Sequence, residues 1–123
     1  MTENQNSRNS KQYDLEDRTL KFARETRSFI TKLPRSLINI EDGKQLVRSS
    51  GSVGANYIEA NESLSKKDFL MRIKICRKEA KESQYWLNLI IAPDGLESER
   101  KVLLDEVVQL RKIFGAILEK SNI

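Results

Sequence analysis

The sequence predicts an all-α protein, an antiparallel four-helix bundle, on three observations. Apolar residues return at spacings of three and four in four separate segments, the period that lines one face of a helix. Pro34 and the run Pro93-Asp94-Gly95 interrupt the pattern where helices must stop. No stretch alternates apolar and polar residues as a half-buried strand would. A chain of 123 residues is the size of one self-sufficient domain, which buries roughly two thirds of the surface its unfolded form exposes.

Residues 1–13 are polar, rich in Asn, Ser and Gln, and hold too few apolar side chains to anchor on a core. A flexible arm is expected there, with the bundle domain over residues 14–121. The first helix carries Leu15, Phe22, Ala23, Phe29, Ile30 and Leu33 and ends before Pro34. A connection from Arg35 to Ile40 leads to Glu41 and Asp42, acidic residues that suit a helix N-terminus through its dipole.

The second helix keeps two stripes, Leu46, Ser50, Val53, Tyr57 and Ala60, and beside it Val47, Gly51, Gly54 and Ile58. Each glycine costs a helix about 1 kcal/mol relative to alanine. A helix that accepts two of them gains close approach to a neighbour. Ser65-Lys-Lys-Asp68 matches a capping box and opens the third helix, which shows Phe69, Ile73, Cys76, Ala80 and Leu87, widened by Leu70, Trp86, Leu89 and Ile90, and runs to about Ile91. The fourth begins near Glu97 to Glu99 and carries Leu103, Val107, Leu110, Phe114 and Ile117, flanked by Leu104, Val108 and Leu118. Short connections make these four helices antiparallel neighbours. Leu70, Leu89, Leu104 and Val108 lie beside the main stripes, a surplus of apolar surface that predicts a homo-oligomer.

Composition narrows the function. The chain contains no histidine, which excludes hydrolases with an imidazole base, most catalytic zinc sites and the Glu-x-x-His metal pairs of di-iron bundles. No catalytic residue, metal or cofactor is expected. The single cysteine, Cys76, sits on an apolar stripe as an inert filler and cannot close an intramolecular disulfide. With no signal peptide and no apolar run long enough for a membrane, a cytoplasmic protein with no membrane contact is expected. Gly51-Ser-Val-Gly54 has the spacing of a KH-domain loop, but the surrounding apolar residues place it inside a helix. Trp86 or Tyr85 could stack a base, and core packing is the favoured role because one of the two must face inward.

Two constellations stand out. Pairing residues equidistant from the turn between the second and third helices puts Arg48 level with Glu79 and Ser52 level with Ile75. A desolvated Arg48–Glu79 pair would cost on the order of 3 kcal/mol to break, a structural role. The acidic pairs Glu59 with Glu62 and Glu79 with Glu82 read as salt-bridge partners. The other constellation is basic: from Lys66 to Glu82 there are seven basic residues against three acidic, and Lys67, Lys74, Arg77, Lys78 and Lys81 share a helix face. With a net charge of +4 and a pI near 9.3, that stripe is either a solvated face or a nucleic-acid footprint. With no aromatic residue counted among these lysines, recognition is expected to follow backbone charge and shape.

Gln45-Leu-Val-Arg-Ser-Ser-Gly-Ser-Val-Gly-Ala-Asn-Tyr-Ile-Glu-Ala60, with Lys67-Asp-Phe and Lys78-Glu-Ala-Lys-Glu-Ser-Gln-Tyr-Trp-Leu87, resembles the four-helix bundle family named for open reading frames in 23S rRNA intervening sequences. Phe22-Ala and Leu33-Pro fit as well, and the resemblance covers roughly residues 14–120. Its most specific part is carried by Arg48, Ser49, Ser52, Asn56, Glu59 and Ala60, which with Glu79 and Glu82 form the expected polar network. The resemblance implies a left-handed, up-down-up-down bundle that assembles as a ring-like homopentamer without enzymatic activity. It extends to the accessory variability determinants of diversity-generating retroelements, which are similar bundles that bind nucleic acid and a reverse transcriptase. Two function classes are therefore expected: a non-catalytic RNA- or DNA-binding accessory protein, with self and a reverse transcriptase as further partners, and alternatively an oligomeric scaffold that binds another protein.

Overall fold

The computed structural model describes residues 3–121, with side chains from Leu15 onward. Four helices follow one another: α1 (Glu3–Lys32), α2 (Leu37–Asn61), α3 (Lys66–Leu89) and α4 (Glu97–Ser121), with a single 3-10 turn at Asp94–Leu96 before α4. The described residues contain no strand. Residues 3–13, expected as part of a flexible arm, belong to the helical backbone of α1, and residues 1 and 2 lie outside the described residues.

Start and stop signals act largely as the sequence suggests. Ser65 caps α3, its hydroxyl accepting from the Asp68 amide at 3.1 Å. The second helix starts earlier than Glu41 and Asp42 suggested: Ser36 is its N-cap, accepting from the Asn39 amide at 3.1 Å. A serine hydroxyl satisfies an orphan amide directly, whereas acidic residues act only through the dipole. The third helix ends at Leu89 rather than Ile91, because Ile90 turns to extended backbone ahead of Pro93.

Each helix packs on its neighbours in sequence, and α1 closes on α4. The pairs Thr19–Gly54 and Ile30–Gly43, Arg72–Asn56 and Arg48–Glu82, and Arg77–Gly115 and Arg100–Leu87 run in opposite order on the two members, so sequential helices are antiparallel. Ion pairs Arg18–Glu106 and Lys32–Glu99, both at 2.8 Å, tie α1 to α4. The core is one cluster built from the expected stripes, among them Phe22, Phe29, Leu46, Val53, Ile73, Leu87, Leu103 and Phe114. Thr19 and Thr26 complete the stripe of α1, fully buried. Of the four residues expected as surplus, Leu70 and Leu104 pack against the core, Val108 is half-buried, and Leu89 is exposed.

The glycines of α2 do bring a neighbour close. A Cβ on Gly54 would stand 2.8 Å from the Thr19 hydroxyl and one on Gly51 3.2 Å from the Arg27 guanidinium. The helix that comes close is α1, and Arg27 donates to the Val47 carbonyl at 3.5 Å across that seam.

Candidate nucleic-acid interface

The seam between α2 and α3 holds the polar residues of the motif. Arg48 does not meet Glu79. Its guanidinium lies 3.4 Å from Glu82, three residues further on, and also donates to Gln45 at 3.2 Å. Ser83 shares a 2.9 Å hydrogen bond with Ser49 and donates to the Glu79 carbonyl at 2.9 Å. Asn56 donates to the Ser52 carbonyl at 2.8 Å and accepts from Arg72 at 3.2 Å. Glu59 is exposed, and its contribution is a backbone carbonyl that accepts from the Ser63 hydroxyl at 3.2 Å.

Glu79 itself is 8% exposed, and its Oε2 atom has no donor. Burial pushes its carboxyl above the usual range, the neighbouring Glu82 carboxyl pushes it further, and Lys78 and Arg48 oppose both. Two carboxyls in contact cannot both ionise cheaply. Arg48 answers only Glu82 of the two, and the Oε2 atom of Glu79 stays without a donor. The reading of Glu79 and Glu82 as two salt-bridge partners therefore holds for Glu82 alone, the one that meets a cation. Glu79 is withdrawn from solvent in the interhelical seam, while Glu82 keeps 31% of its side chain exposed and faces the Arg48 guanidinium. Burial pushes the Cys76 thiol up to about 12, which keeps it protonated and unreactive. No group of His, Cys, Asp and Glu among the described residues could hold a metal.

The solvent-facing side of α3 carries the cations. Lys67, Lys74, Arg77, Lys78 and Lys81 are all exposed, and none has an ion-pair partner among the described residues. Over the 14 residue steps from Lys67 to Lys81 the row extends about 21 Å. Arg77 flanks it towards α4, its stem 4.0 Å from where a Cβ on Gly115 would stand. Of the three acidic residues of the segment, Glu79 and Glu82 are drawn into the α2 seam. Asp68 remains exposed, in the first turn of the helix where the dipole favours it.

The expectation that no aromatic lies with these lysines is corrected by the structure. Tyr85 stands four residues beyond Lys81 and is 58% exposed, which places it on the same face. Trp86 is the member of the pair that packs on the core. The two rings meet at 5.0 Å with planes at 80°. The spacing could have revealed this, because Tyr85 continues the interval from Lys74, Lys78 and Lys81, but stopping the count at Glu82 cut it off.

A second surface is apolar. Ile30, Leu33, Pro34, Ile40, Gly43 and Val47 line an open groove of about 580 Å³ between α1 and α2. Beside it Leu37 and Ile38 are 76% and 70% exposed. No helix among the described residues is long and apolar enough to cross a membrane.

Comparison with known proteins adds a family. A family model described as 23S rRNA-intervening sequence protein matches residues 11–116. A solved structure from Bacteroides thetaiotaomicron, described as a protein of unknown function from the S23 ribosomal protein family, superposes with a TM-score of 0.74 at 28% identity, covering 89% of this chain and 98% of that one. No curated protein matches the chain.

Proposed function

The chain belongs to the 23S rRNA-intervening sequence protein family, and from that premise we propose that it is a non-enzymatic accessory protein that binds nucleic acid through α3. One observation carries the reading: five exposed cations on one helix face, with the two glutamates of the same stretch turned into the α2 seam. An unpaired, one-signed row is the footprint that a phosphate backbone requires. Such contacts position a polyanion without naming its sequence.

Fluorescence anisotropy with a labelled oligonucleotide across a salt series tests this. Each phosphate contact steepens the log–log salt response by about 0.7 for a single strand and about 0.9 for B-form DNA, so five contacts predict a slope of about −3.5 or about −4.5. Replacing Lys74, Lys78 and Lys81 together by glutamate should abolish binding and leave helix content unchanged. A parent protein that fails to bind at low salt would remove the reading.

The exposed Leu37 and Ile38 beside the α1–α2 groove favour self-association as part of the same function. The reading includes a homo-oligomer, with five subunits the number the resemblance implies, and light scattering coupled to size exclusion measures it. Oligomers would repeat the basic row on one rigid body and raise avidity without new contacts. A reverse transcriptase is the protein partner proposed with the nucleic acid. If binding proves insensitive to salt and confined to a protein, the scaffold reading replaces it.

A further inference from the structure

We propose that the basic face of α3 takes a single strand rather than a duplex, with Tyr85 as the platform on which one unpaired base stacks. This rests on the reading of that face as a nucleic-acid interface and goes beyond it, because it names the strandedness of the ligand and the residue that senses it.

A tyrosine ring left 58% exposed offers an apolar face that a planar partner can cover. Its neighbours on the helix face are Lys81 and, a turn further back, Lys78, with Asn88 and Leu89 on the other side, all exposed, and the half-buried Glu82 beside it. The ring stands about 6 Å along the axis from Lys81, and Lys81 about 4.5 Å from Lys78. Cations and aromatic are thus spaced on the scale of successive nucleotides. Paired bases inside a duplex offer their faces only to each other, so a ring beside a row of phosphate contacts gains nothing from duplex. An unpaired base can turn out and stack, a contact that tolerates any base because each has a π-face.

The ring is also held ready. Trp86 packs its body into the core and meets Tyr85 at 5.0 Å in an edge-to-face arrangement, which leaves at least one face of Tyr85 clear of Trp86. A side chain with two torsions, buttressed in this way, loses little freedom when it binds. Trp86 is the chain's single tryptophan and so reports on Tyr85 directly.

The test compares a labelled twelve-nucleotide single strand, as oligo(U) and as oligo(dT), with a duplex of equal length, for the parent, Tyr85→Ala, Tyr85→Phe and the triple lysine-to-glutamate variant. The parent should bind the single strand more tightly, with a change in Trp86 emission. Tyr85→Ala should weaken single-strand binding roughly five- to a hundredfold, the range that loss of one stacked base implies, and leave duplex binding unchanged. Tyr85→Phe should retain single-strand affinity, since the π-face and not the hydroxyl makes the contact. Single-strand affinity unchanged in Tyr85→Ala, or equal losses on duplex and single strand, would overturn the stacking role while leaving the interface intact. No binding of either probe by the parent, or unaltered binding by the lysine variant, would instead remove the interface itself.

Discussion

Gly54 and Gly115 are both helical glycines, and replacing each by alanine should move stability in opposite directions. By propensity alone, either change stabilises a helix interior by about 1 kcal/mol, partly by restricting the unfolded chain. At Gly115 nothing opposes it, because the nearest side-chain atom is Arg77 Cδ at 4.0 Å, an ordinary contact with a flexible stem. At Gly54 the added methyl would lie 2.8 Å from Thr19 Oγ1 and 3.0 Å from Thr19 Cβ. Thr19 cannot swing aside cheaply: it is fully buried, β-branched, and its hydroxyl donates to the carbonyls of Leu15 and Glu16 at 2.8 and 3.0 Å. Relief must come from α1 moving off α2, and overpacking of that kind costs about 1–3 kcal/mol. Gly115→Ala should therefore gain up to about 1 kcal/mol and Gly54→Ala lose up to about 2 kcal/mol. Urea midpoints at one fixed protein concentration measure both. Adding Thr19→Ala to Gly54→Ala should recover part of the loss, because the atom at 2.8 Å is gone. If Gly54→Ala stabilises as Gly115→Ala does, the close approach of α1 to α2 is not what the glycine is for.

Because the folded-state pKa of Glu79 is raised, the proton it holds contributes stability that is full below the ordinary carboxylate range and is lost as pH rises through the folded value. The slope is at most about 1.4 kcal/mol per pH unit; Glu79→Gln, neutral at every pH, should flatten it, and an unchanged slope would mean the proton is not on this pair. A double-mutant cycle on Arg48 and Glu82 should give a coupling of about 0.2–1 kcal/mol, since the Arg48 side chain is 60% exposed, with a smaller coupling for Arg48 and Glu79. Cys76, fully buried with its thiol pushed up to about 12, should react with a thiol reagent only as fast as the bundle opens, so that denaturant accelerates labelling in step with unfolding; rapid labelling of the folded protein would contradict its place in the core.

Periodicity made the bundle legible because every helix buries a stripe that hydropathy can see. It did not see Thr19 or Thr26, which fill the same stripe on α1. Thr19 hides its hydroxyl in its own helix by bonding back to Leu15, so a polar residue packs as an apolar one. The register of α2 against α3 also escaped, and with it the Arg48–Glu82 contact. Counting outwards from the turn assumes that the two helices leave it symmetrically. In the structure, α2 closes through Ser63 bonding back to Ala60 while α3 starts afresh at its Ser65 cap. The start of α2 was missed for a related reason: Leu37 and Ile38 are exposed apolar residues, which carry no inward stripe to mark the first turn.

Net charge is a poor guide to what α3 offers a polyanion. A total of +4 is modest, but a phosphate at physiological salt responds to charges within a Debye length of about 8 Å. What matters is where the 18 acidic residues stand relative to that row. Glu106 and Glu99 are bound to Arg18 and Lys32 on the α1–α4 side, and Glu97 to Arg100 at the start of α4. Glu82 answers Arg48 across the α2 seam, and Glu79 is buried beside it with its carboxyl pushed above the usual range. The seam that fixes α2 against α3 thus also gives Glu82, which flanks Lys78 and Lys81 on α3, a cation of its own in Arg48. Neutralising the seam by Glu79→Gln should accordingly alter stability with pH and leave oligonucleotide affinity almost untouched, whereas an acidic residue placed among Lys74, Lys78 and Lys81 should do the reverse. A single α-helix can carry both tasks because its two edges face different media, one packed and one wet.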